Sequence, residues 1–108
     1  MYNMRETDIQ SSICEYLAIK QNQGKLMFWR QSTSGAIQAG HFVRKSKYAR
    51  NGVPDIIVIK DGWFIGLEVK TPTGRQSKAQ KEMEADIKKN GGEYYLVTSI
   101  EDLQTNGL

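Results

Sequence analysis

A chain of 108 residues with 39% hydrophobic content can build one domain around a single core, with no need of disulfide or metal staples. No apolar run approaches the roughly 20 residues of a membrane span, and a single cysteine, Cys14, excludes an internal disulfide. The formal net charge of +3 conceals an asymmetry: seven basic and no acidic residues lie between Tyr16 and Pro54, while the remainder carries eight basic and twelve acidic ones. That distribution points to a polyanionic partner meeting one face of the molecule.

The polar N-terminus does not read as a signal peptide, so an intracellular, cytoplasmic location is expected, with no membrane association. Cys14 has no His base in its sequence neighbourhood and reads as a small core residue rather than a nucleophile.

The first element predicted is a helix from about Met4 to Gln21. Asn3 is placed to cap it, with Glu6 three positions on as in a capping box. Ile9, Ile13 and Leu17 recur at helical spacing and define a core stripe. Glu6 heads that stripe, an unusual place for an acid: it either closes the cap or contributes an inward carboxylate. Gln23-Gly24 ends the helix, and Leu26 to Gln31 reads as the first strand.

From Ser32 to Gly52 the chain is rich in Ser, Gly, Arg and Lys. So long a loop is unusual in a compact domain unless it is functional, and a small ribbon is expected around Ala36 to Lys45. Arg44, Lys45, Lys47 and Arg50, with Tyr48 among them, suit phosphate contacts and stacking on nucleic acid. Arg30 and Arg75 extend this set. His41 stands without a second His or a Cys, so a surface or phosphate-contacting role is favoured over metal ligation.

Two β-rich runs follow, Val53 to Lys60 and Trp63 to Lys70, separated by Asp61-Gly62, a strong hairpin signal. A two-residue turn there sets Lys60 opposite Trp63 and Asp55 opposite Glu68. Facing residues hold their Cβ atoms about 4.5–5.5 Å apart on one side of the sheet, and like charges in that position destabilise it. Among such apolar strands the conflict is relieved by a shared proton or by a cation. Lys70, two residues beyond Glu68, projects from the same face and neutralises part of the charge. An Asp-Lys-Glu ion cluster that only holds the sheet together is the alternative. Buried ion clusters contribute little net stability, however, and a site for a hard divalent ion is the favoured reading.

After the turn from Thr71 to Arg75, Ser77 caps a helix predicted to run to about Lys89, closed by Asn90-Gly91-Gly92. Ala79, Met83 and Ile87 form its apolar stripe, with Gln80 pointing inward beside them and Glu84–Lys88 as a supporting pair. Glu93 to Thr98 reads as the last strand. Ser99 then caps a short C-terminal helix with Asp102 at its third position. The order implies an α/β domain spanning residues 1–108, with a central mixed sheet flanked by helices: the hairpin must be antiparallel, and the strand after the second helix can return parallel.

Gly52-Val53-Pro54-Asp55, twelve intervening residues and Glu68-Val69-Lys70 resemble the metal-binding core of the PD-(D/E)xK nuclease superfamily. Glu6, the Gly-x-Pro-Asp lead-in and Gly74-Arg75-x-Ser77-x-x-Gln80 resemble its VRR-Nuc branch, the virus-type replication-repair nucleases. The resemblance runs from about Arg5 to Asp102 and implies a restriction-endonuclease-like core of order α-β-β-β-α-β. It implies that Asp55 and Glu68 bind Mg²⁺ or Mn²⁺ with the backbone carbonyl of Val69, and that Glu6 approaches the ion directly, through water, or as ligand of a second ion. Lys70 would orient the attacking water or stabilise charge on the phosphoryl group, and Gln80 would reach back to hold the lysine or the phosphate. The implied products are a 5′-phosphate and a 3′-hydroxyl. Stand-alone members of this branch resemble Holliday-junction resolvases and are implied to act as homodimers on four-way DNA junctions. A nicking or duplex endonuclease, or a DNA-binding domain without chemistry, remain as alternatives. Against the last stands the joint presence of Glu6, Asp55, Glu68, Lys70 and Gln80.

Overall fold

A computed structural model of the protein describes residues 5–31, 37–38, 41–42 and 46–108. Asn3, Arg44 and Lys45, singled out above, lie outside the described residues. Helix α1 (Glu6–Asn22) leads into strand β1 (Met27–Arg30), and a short ribbon of β2 (Ile37–Gln38) and β3 (His41–Phe42) follows. Next come the hairpin strands β4 (Ile56–Lys60) and β5 (Trp63–Val69), helix α2 (Lys78–Lys89), strand β6 (Glu93–Val97) and helix α3 (Ile100–Thr105). The main sheet is mixed, in the order β1-β4-β5-β6, with β1, β4 and β5 antiparallel and β6 parallel to β5. This is the expected α/β plan. Among the described residues no helix is long and apolar enough to cross a membrane.

The hairpin has the register read from its turn. Lys60 faces Trp63 and Ile56 faces Leu67. Asp61 (φ 52°) and Gly62 (φ 82°) both adopt positive φ, as a type I′ turn requires and as the twist of the two strands favours.

Alternation along the strands then sorts the side chains between two faces. Ile56, Val58, Ile65, Leu67, Val69 and Val97 are buried against Ile9, Ile13 and Leu17 of α1 and Leu103 of α3. The opposite face carries Ile57, Gly66, Glu68 and Tyr94, and α2 lies over it, since Gln80 of that helix bonds to Glu68. The sheet therefore separates two cores, an aliphatic one under α1 and a smaller, polar-lined one under α2.

The start of α1 departs from the sequence reading. Arg5, not Asn3, occupies the cap position. Its backbone N–H donates to Asp8 Oδ2 at 3.3 Å, and its guanidinium meets the same oxygen. Asp8 therefore performs the duty assigned to Glu6. With Arg5 as the cap, the position three residues on is Asp8, and Glu6 falls at the first helical position instead. Glu6 is left half-buried with no role in the cap. Helix α2 begins as predicted, with Ser77 Oγ accepting from the Gln80 N–H and Gln80 Oε1 accepting from the Ser77 N–H. The Glu84–Lys88 pair closes at 2.7 Å, and Ser99 caps α3 through the Asp102 N–H.

Candidate metal centre

The residues before β4 bring Asp55 into place. Gly52 has φ 79°, and a side chain there would run into the Ala79 carbonyl of α2. Only glycine lets the loop pass this close to the helix in this conformation. Pro54, fully buried, rests on Gly66 of β5, where an added Cβ would approach the proline ring to 2.6 Å. Gly52 and Gly66 together fix the Gly-x-Pro-Asp segment between α2 and the sheet. The Asp55 carbonyl continues the β1–β4 ladder by accepting the Gln31 N–H at 2.8 Å.

The antiparallel register runs to Ile56 opposite Leu67, and Asp55 and Glu68 are the residues next in line on the two segments. Asp55 Oδ2 accepts the Val69 N–H at 2.8 Å, which clamps the acid across the strand end next to Glu68. Glu68 is 1% exposed. Burial pushes its carboxyl up to about 8; the neighbouring Asp55 adds to the rise, Lys70 opposes it, and Glu6 adds a smaller repulsion. Lys70 Nζ lies 4.0 Å from Glu68 Oε2, and Gln80 Nε2 donates to the same oxygen at 3.0 Å. Tyr94 Oη is 3.5 Å from Glu68 Oε1.

Asp55, Glu68, Lys70 and Gln80 are thus assembled on one sheet face, as expected. Gln80 does so by using both ends of one amide: the oxygen caps α2 and the nitrogen holds Glu68, rather than the lysine. Val69 meets the pair through its N–H. Glu6 stands within electrostatic range of Glu68. Among the described residues no three His, Cys, Asp or Glu side chains converge to enclose an ion, so Glu6 adds negative potential to a two-carboxylate site.

This donor set fits a small hard cation. Glu68 is buried and Asp55 half-buried, and among the described residues the cation paired with Glu68 is the single ammonium of Lys70 at 4.0 Å, so the two groups when ionised are short of positive charge. Asp55 and Glu68 would be the residues to hold a Mg²⁺ or Mn²⁺ ion, both of which favour oxygen donors.

The raised carboxyl has a consequence for stability. Below about pH 4.5 Glu68 is protonated in folded and unfolded chains alike; between 4.5 and about 8 the unfolded chain has lost a proton that the folded chain keeps. Folding then takes up a proton, and stability falls as pH rises through that window. The metal-free protein is expected to lose stability between pH 5 and 8 by on the order of a few kcal/mol more than Glu68→Gln does. Thermal unfolding of both in EDTA checks this, and parallel curves would contradict it.

The basic residues fall into three groups. Lys47 sits over the ring of the exposed Tyr48, with Nζ 5.0 Å from its centroid. Arg50 forms a 2.7 Å salt bridge with Asp86 of α2, a partner 36 residues away that no local pattern announces. Arg30 and Arg75 are exposed. Sequence reasoning missed Tyr94 and Gln76. In an alternating strand Tyr94 looks like any core aromatic, and Gln76 sits in a loop with no periodicity to interpret. Comparison with protein-family models, curated proteins and solved structures finds no match to this chain.

Proposed function

We propose that this chain is a metal-dependent DNA endonuclease acting inside the cell, with a restriction-endonuclease-like core of the VRR-Nuc kind. The observation that carries this reading is Asp55, bonded through Oδ2 to the Val69 N–H at 2.8 Å next to the buried Glu68, with Lys70 Nζ 4.0 Å from Glu68 Oε2. Asp55 and Glu68 would hold Mg²⁺ or Mn²⁺, with Glu6 adding to the potential that attracts it. Once bound, such an ion polarises the scissile phosphate and lowers the pKa of a coordinated water. The Lys70 ammonium, 14% exposed, presents donors beside the pair to orient the attacking water or offset charge gathering on the phosphoryl oxygens. Gln80 keeps Glu68 in one rotamer through its 3.0 Å bond. The cationic stretch supplies attraction for the phosphate backbone.

A four-way junction is the substrate this reading favours, cut by a homodimer. One small domain carries one such site, and two symmetric nicks need two sites related by a two-fold axis. Incubating the protein with labelled four-way junction, fork and linear duplex, each with Mg²⁺ and with EDTA, tests the reading. Mg²⁺-dependent cleavage of the junction in preference to the others is expected. Equal cutting of all three removes junction selectivity, and binding without cutting removes the nuclease assignment. Replacing Lys45 and Lys47 by Glu is expected to weaken binding to every sequence and to reduce the salt slope of binding by about 2. An unchanged slope would place both lysines towards solvent.

A further inference from the structure

We propose that Tyr94 is a positioning residue for the metal centre, holding Glu68 Oε1 through its phenol while Gln80 holds Oε2. This rests on the metal-dependent reading above. Tyr94 stands beside Gly66 in the parallel β5–β6 register, two residues before Glu68 along β5. An added Cβ at Gly66 would sit 3.6 Å from the Tyr94 ring and closer still to Pro54, so the absent side chain makes room for both. The ring is thereby seated on the α2 face with its hydroxyl directed at the acid.

The direction of the hydrogen bonds follows from counting protons. Gln76 Nε2 has two: one goes to Glu84 Oε1 at 3.0 Å and one to Tyr94 Oη at 3.3 Å. Glu84 is itself fixed by Lys88 at 2.7 Å. With its oxygen accepting from Gln76, the buried phenol has its own proton left to give, and Glu68 Oε1 is the acceptor it faces at 3.5 Å. A chain of contacts therefore runs from the surface of α2, through Lys88, Glu84, Gln76 and Tyr94, to the buried carboxylate. Tyr94 is 2% exposed, and its hydroxyl would otherwise be an expensive group to bury. Groups that hold a ligating carboxylate from behind fix its orientation, and their loss typically costs 10–100-fold in metal affinity or activity.

Calorimetric titration of Mn²⁺ into DNA-free protein tests the proposal. Tyr94→Phe keeps the ring and removes the donor, and about a tenfold weaker Mn²⁺ dissociation constant is expected. The Mg²⁺ concentration for half-maximal cleavage rises in parallel, while the rate at saturating Mg²⁺ and DNA affinity in EDTA stay near wild type. Gln76→Ala is expected to shift Mn²⁺ binding in the same direction by less, and the double variant by no more than Tyr94→Phe alone, because Gln76 acts through the phenol. Tyr95→Phe, which removes a hydroxyl facing Glu93 instead, leaves Mn²⁺ binding unchanged. Wild-type uptake with an unaltered constant in Tyr94→Phe overturns the positioning role alone. A wild-type protein that takes up no Mn²⁺ overturns the metal-dependent reading and this one with it.

Discussion

Asp55→Asn is expected to lower cleavage by about a thousandfold or more, since loss of a ligating charge removes several kcal/mol of electrostatic stabilisation. DNA binding should be retained or tightened. Asparagine keeps the oxygen that accepts the Val69 N–H at 2.8 Å, so the segment stays clamped to β5. It also removes one of two mutually repelling carboxylates and one negative charge from the site proposed to meet phosphate. In EDTA at pH 8 the variant should therefore melt above wild type, because Glu68 no longer faces an anion. Cleavage assays, binding in EDTA and thermal unfolding separate these effects. Cleavage near the wild-type rate removes Asp55 from the chemistry. Loss of junction binding shows that the acid supports the fold or the DNA surface instead of the ion.

The largest effect on stability is expected at Gly52. Gly52→Ala sets a Cβ against the Ala79 carbonyl and Gln80 amide of α2 in a backbone conformation of φ 79°. The left-handed backbone alone costs roughly 1–2 kcal/mol. The contact is with helix backbone, which cannot yield as a flexible side chain does, so the total should reach about 3 kcal/mol or more. For a domain of this size that lowers the unfolding midpoint by about 15 °C. Gly62→Ala supplies the comparison: φ is 82°, yet nothing lies within 4 Å of the added Cβ. Only the backbone cost of about 1–2 kcal/mol applies there. Equal losses at the two positions would show that the loop and α2 are not in close register. Because Gln80 of that helix holds Glu68, displacement at Gly52 should also weaken Mn²⁺ uptake in whatever protein remains folded.

How far the chain could be read in advance depended on whether a signal was local. The hairpin was legible because Asp61-Gly62 fixes a turn by its own backbone preference, and the turn fixes every pair beyond it. Asp55, Glu68 and Lys70 came with that register at no further assumption. Ser77 and Gln80 form a cap within one helical turn, so that boundary was legible too. The start of α1 was not: Glu6 and Asp8 lie on one turn, and sequence alone does not say which closes the cap. Gln80 was seen to point inward, but its divided use of oxygen and nitrogen depends on where α2 lands on the sheet. Tyr94, Gln76 and the Arg50–Asp86 pair were invisible for the same reason. Each depends on elements brought together only by the parallel return of β6 and the passage of Gly52 under α2.

The central claim is that Asp55 and Glu68 are brought together tightly enough to capture a divalent ion. Titrating Mn²⁺ into metal-free protein at pH 7, in buffers of different ionisation enthalpy, tests it most directly. Wild type should bind the ion and release close to one proton, because the carboxyl raised to about 8 must give its proton up to ligate. The Asp55→Asn, Glu68→Gln double variant should do neither. Heat of binding absent from wild type, or equal in the two proteins, would contradict the account.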